Sequence, residues 1–139
     1  MSSSLVVFPY SGEDDMRSWL QEQGVEPPHV AGTVPDLQLV KRIVDEAGWA
    51  YRELPVGETR WNVTFPRGGE TSPPIDELRL HDASLGFRLG PLDGPFHVVR
   101  EVSRECGPQV AVEAGASTVC VVEEETTWED FLLVMAGRD

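Results

Sequence analysis

The sequence predicts an α+β fold: an antiparallel sheet built from two helix-hairpin units, with the helices packed on one face. Three observations predict it. Residues 37–63 and 96–122 align without a gap at a constant offset of 59. Val40, Glu46, Gly48, Thr59 and Val63 recur as Val99, Glu105, Gly107, Thr118 and Val122. Each copy has apolar residues at helical spacing, then a glycine, then two short β-rich runs. Finally, at 139 residues the chain has the length of one domain that can bury a core unaided. The expected domain is 1–139, with pseudo-repeat halves of about 1–66 and 75–139 joined by the Pro/Gly-rich loop 66–74.

In order along the chain, Leu5-Val6-Val7-Phe8 is a short apolar run and reads as a buried strand. Ser11, with acids three residues on, marks a helix start. Met16, Trp19 and Leu20 share the buried side of that helix, and Gly24 ends it. Pro27-Pro28 opens a stiff connector. Thr33 with Asp36, and Pro35 between them, begins a second helix whose stripe is Leu37, Val40, Ile43, Val44 and Ala47. Gly48 closes it. Trp49–Leu54 and Arg60–Phe65 form a hairpin turning at Val56–Thr59. Leu78-Arg79-Leu80 and Leu85–Leu89 alternate with period two, as half-buried strands do. Asp93 and Pro95 start a third helix with Phe96, Val99, Val102 and Cys106 along its stripe. Val110–Val112 and Thr118–Val122 form the second hairpin around Gly115–Ser117. Thr126 with Glu129 is a capping box for a last helix bearing Trp128, Phe131, Leu132 and Met135, ending at Gly137.

Charge narrows the partners. Eleven basic residues against 24 acidic ones leave a net charge of −13. Direct nucleic-acid binding needs a basic footprint and is not expected. Anionic membrane surfaces are disfavoured on the same ground, and no apolar run approaches the roughly 20 residues of a membrane span. Met1–Leu5 has neither the basic segment nor the apolar stretch of a secretory leader, so a cytoplasmic location is expected. Cys106 and Cys120 then read as two buried thiols.

A search for reactive groups leaves little. His29, His81 and His97 have no second histidine or cysteine at ligand spacing, so no metal and no cofactor is expected. No nucleophile elbow, phosphate loop or dinucleotide fingerprint is present, and no catalytic residue is nominated. Carboxylates alone are abundant. Glu123, Glu124 and Glu125, with Glu129 and Asp130 just beyond, form the densest acidic patch, and Glu13-Asp14-Asp15 forms a second. Runs of this kind serve solubility or helix dipoles when spread over a surface, and partner docking when concentrated. Tyr51, Trp61 and Phe65 give the first hairpin an aromatic face, which either packs under the helices or lines a cleft between the two hairpins.

The leading expectation is therefore a non-enzymatic acidic module. It would bind a basic protein partner through Glu123, Glu124, Glu125, Glu129 and Asp130, and neutralise or escort it. In composition it is similar to immunity proteins, antitoxins and secretion chaperones. The alternative is a small-molecule-binding domain with Tyr51, Trp61 and Phe65 in the cleft. The duplicated arrangement resembles in outline the modules of GyrI-like ligand-binding proteins, which implies a small molecule held between halves and transfers no site residue. Open strand edges also allow a homodimer.

Overall fold

The computed structural model describes residues 4–48, 51–54, 61–64, 77–81, 84–88, 93–113 and 118–135. Its order is β1 (Ser4–Pro9), α1 (Asp14–Glu22), α2 (Leu37–Ala47), β2 (Arg52–Leu54), β3 (Trp61–Thr64), β4 (Glu77–Leu80), β5 (Leu85–Arg88), α3 (Asp93–Cys106), β6 (Gln109–Glu113), β7 (Thr118–Val122) and α4 (Trp128–Met135). The fold is α+β with one antiparallel sheet in the order β2-β3-β4-β5-β1-β6-β7. Trp49, Phe65, the turns expected at 56–59 and 115–117, the 66–74 loop and Gly137 lie outside the described residues.

The sheet order sets the two hairpins apart. β2-β3 sits at one edge and β6-β7 at the other, with β4, β5 and β1 between them. The outermost strand is the first of its hairpin at one edge and the second at the other, so the two hairpins hold non-equivalent places. Nor are the chain halves separate units in the sheet. β1, from the first half, pairs with both β5 and β6, from the second.

Helices cover both faces, not one. Leu5, Val7, Ala111, Cys120 and Val122 point to a core shared with Val40, Ile43 and Val44 of α2, Phe96, Val99 and Val102 of α3, and Phe131 and Met135 of α4. The neighbouring residues Phe8, Val110, Val112, Val119 and Val121 point to the other side, where Met16, Trp19 and Leu20 of α1 join them with Tyr10 and Val25. The reason is the composition of β1, β6 and β7. They are apolar at successive positions, so each exposes a water-averse surface on both faces, and each face needs a cover. Towards β4 and β5 the pattern changes: Leu78, Leu80, Leu85 and Phe87 are buried, while Arg79 and Arg88 are exposed.

Helix ends follow local hydrogen-bond chemistry, and the starts of α1 and α2 differ from expectation. The N-cap of α2 is Asp36, whose carboxylate accepts from the Leu39 amide at 2.8 Å. Thr33 lies outside the helix; its amide and hydroxyl both donate to the Cys106 carbonyl, at 2.7 and 3.3 Å. The N-cap of α1 is Glu13, without a capping side chain, and Ser11 accepts from the Glu13 amide at 3.2 Å. At the other end of α2, Gly48 takes the left-handed conformation (φ 78°) and closes the helix as the sequence implies.

Candidate acidic binding end

The expected site occupies the turn between β7 and α4 and the first turn of that helix. After Val122, the Glu123 amide donates to the Thr126 hydroxyl at 2.8 Å, and the Thr126 amide donates back to the Glu123 carbonyl at 3.0 Å. Thr126 therefore closes the turn and does not cap the helix. Capping falls to Thr127, whose hydroxyl accepts from the Asp130 amide at 3.1 Å. The helix is anchored by Phe131, fully buried, with ring centroids 4.9 Å from Phe96 and 6.2 Å from Trp128. Burying one such ring contributes about 2–3 kcal/mol, so the turn is seated on core packing.

This frame leaves Glu124, Glu125, Glu129 and Asp130 exposed and Glu123 half-buried. Burial raises the Glu123 pKa, Glu125 raises it further, and His29 works against both. Glu124 lies 3.7 Å from the Arg104 guanidinium, which is also 3.5 Å from Glu101. One exposed arginine shared between two carboxylates offsets little of the local negative charge. Asp130 lies near enough to Cys120 for its charge to add to the effect of burial, and together they push that thiol up to about 11. The Cys120 thiol is thus a protonated core group, as its place among valines implies.

The second acidic run joins the first through strand register. Pro9 pairs with Gln109, and Gln109 with Val122, so the C-terminal ends of β1 and β7 lie at the same end of the sheet. Glu13, Asp14 and Asp15 follow the first of these ends and Glu123, Glu124 and Glu125 follow the second. Two strand spacings, roughly 10 Å, separate the strands. From those strand ends the first run leads into α1 on one face of the sheet and the second into α4 on the other. The sequence shows both runs but not their shared end of the sheet, which depends on β6 standing between β1 and β7.

The end is braced by a backbone crossing. The Tyr10 amide donates to the Pro108 carbonyl at 3.1 Å, Gly32 donates to Tyr10 at 2.8 Å, and Thr33 donates to Cys106. Gln109, buried in β6, adds bonds from its amide nitrogen to the carbonyls of Thr33 and Gly107, both at 3.1 Å. β1, the 25–33 connector and the α3–β6 turn are thereby tied together at this end of the sheet.

Of the aromatic trio, only Tyr51 has a described side chain. Tyr51 packs against the first core and its hydroxyl donates to Asp45 at 3.2 Å. Trp61 opens β3 opposite Leu80, and Phe65 lies outside the described residues. β3 and β6 are four strand spacings apart, roughly 19 Å, so the two hairpins do not wall a common space. Trp19 and Trp128 are half-buried against the two cores, in line with their helical positions.

Comparison of the chain with protein-family models, curated proteins and solved structures gave no match. No described helix is long and apolar enough to cross a membrane.

Proposed function

We propose that the chain is a non-enzymatic binding module that docks a basic protein partner against its acidic end, neutralising or escorting it. One observation supports the reading: two carboxylate runs far apart in sequence both follow strands that end at the same end of the sheet. Charge kept only for solubility has no need to gather there. Charge gathered at one end raises the local potential, speeds encounter with a cationic protein and makes binding fall with salt. The five residues Glu123, Glu124, Glu125, Glu129 and Asp130 supply one side of this surface and Glu13–Asp15 the other. Within this reading the two helix-hairpin segments are scaffold, and each delivers one helix to the core face.

The test uses a labelled nona-lysine peptide as a pure charge probe, with binding followed by fluorescence anisotropy. Affinity should fall at least about tenfold between roughly 50 and 300 mM salt. Glu124→Gln/Glu125→Gln should weaken binding more than the charge-matched pair Glu46→Gln/Glu113→Gln. Glu46 is in the last turn of α2, and Glu113 is at the opposite end of β6 from Gln109. Equal losses from the two double variants would show that only net charge matters and would refute a localised site.

A further inference from the structure

On the α1 side of the same end, Phe8, Ser11, Glu13, Asp15, Met16 and Trp19 line a surface depression of about 430 Å³. Its floor is aromatic: the Phe8 and Trp19 rings stand 6.4 Å apart, tilted by 37°, and both are only half-buried. Its rim carries two exposed carboxylates. Glu13 occupies the N-cap of α1 yet its side chain accepts nothing from the helix, so the carboxylate is not spent on capping. Among the described residues neither Glu13 nor Asp15 is ion-paired. The lip is pre-shaped, because the Ser11 amide and hydroxyl lie 3.3 and 3.8 Å from the Met16 sulfur.

We infer that this depression receives an arginine side chain of the basic partner. Charge complementarity selects a cation, since the rim is anionic. The aromatic floor selects a flat, weakly hydrated cation, because a guanidinium stacks on ring faces while its edge donates to carboxylates. A lysine ammonium, compact and strongly hydrated, would satisfy the rim but gain less from the floor. The inference rests on the basic-partner reading and adds the residue type that is recognised. It also moves the specific contact from the Glu123–Glu125 turn to α1, leaving that turn to steer.

Nona-arginine and nona-lysine, titrated into the ¹⁵N-labelled protein, test it. The expected result is tighter binding of nona-arginine, with the Trp19 indole N–H and the Ser11–Arg17 amides shifting most. Glu13→Gln/Asp15→Asn, both exposed, should then cost about tenfold in nona-arginine affinity and much less for nona-lysine. Trp19→Leu, with its fold checked by circular dichroism, should narrow the arginine preference. Equal binding of the two peptides, unshifted Trp19 and sensitivity only to Glu124→Gln/Glu125→Gln would overturn the arginine pocket and leave the acidic end standing. Salt-sensitive binding of neither peptide would overturn both.

Discussion

Gly32→Ala tests whether the backbone crossing holds the acidic end together. A Cβ at Gly32 would fall well inside contact with the Pro108 carbonyl oxygen and 3.2 Å from the Cys106 carbonyl oxygen. Neither oxygen can step aside freely. Pro108 accepts from Tyr10 at 3.1 Å and Cys106 accepts from Thr33 at 2.7 Å, while Gly32 itself donates to Tyr10 at 2.8 Å. The methyl group must therefore push the connector away and weaken two of these bonds. Overpacking of this kind costs about 1–3 kcal/mol, and each bond lost adds about 0.5–1.5 kcal/mol. A total of about 2–6 kcal/mol, at a urea dependence of about 1.5 kcal/mol per molar, lowers the unfolding midpoint by roughly 1.3–4 M. Gly24→Ala is the internal control. Its φ of 77° imposes the left-handed cost, about 1 kcal/mol, but its Cβ would meet nothing within 4 Å. Urea titrations followed by circular dichroism compare the two. A Gly32→Ala midpoint no lower than that of Gly24→Ala would refute the crossing as a tight contact.

Three further outcomes follow from the site and its frame. Burial raises Glu123 above the ordinary glutamate range, so its protonated form favours the fold below the unfolded-state pKa, and that contribution is lost as pH rises through the folded one. Glu123→Gln should accordingly gain stability relative to wild type between pH 4 and pH 7, read as urea midpoints; an unchanged difference would contradict the burial. At pH 8, with its thiol held near 11, Cys120 should resist iodoacetamide in the native protein, while half-exposed Cys106 alkylates first. Peptide mapping by mass spectrometry gives the order, and early labelling of Cys120 would contradict its place in the core. Asp36→Ala removes the carboxylate that accepts from Leu39 and should cost about 1 kcal/mol, whereas Thr33→Val should leave α2 helicity unchanged by circular dichroism.

Element types were legible because apolar spacing differs sharply between helix and strand. Val40-x-x-Ile43-Val44 can bury only as a helix, and Leu78-Arg79-Leu80 only as a strand with one wet face. Helix starts were harder to place, because several side chains competed for each cap. Thr33, Asp36, Thr126 and Thr127 can all accept from a backbone amide, and tertiary bonds decided between them: Cys106 took Thr33 and the Glu123 amide took Thr126. The two carboxylate runs could be read directly from the sequence, but their shared end of the sheet could not. That needed the pairing of β1 with β6, a contact between residues about a hundred positions apart, which no local pattern encodes.

The same reasoning explains why the α1 depression lies where it does. Leu5-Val6-Val7-Phe8 has no polar alternation, and neither does Val119-Cys120-Val121-Val122, so both strands demanded cover on two faces. Expecting helices on one face treated them as though they alternated. On the second face the one described helix is α1, of nine residues, whose buried set is Leu20 with parts of Met16 and Trp19, joined by Tyr10 and Val25. A helix that short spans about 13 Å, and Phe8 and Trp19 beside it stay half-buried. An aromatic surface stays exposed there beside carboxylates that the same helix N-terminus favours. The apolar floor and the anionic rim therefore share one cause, a short cover on a sheet with two apolar faces. Lengthening that cover over Phe8 would stabilise the fold and remove the surface on which a guanidinium can stack.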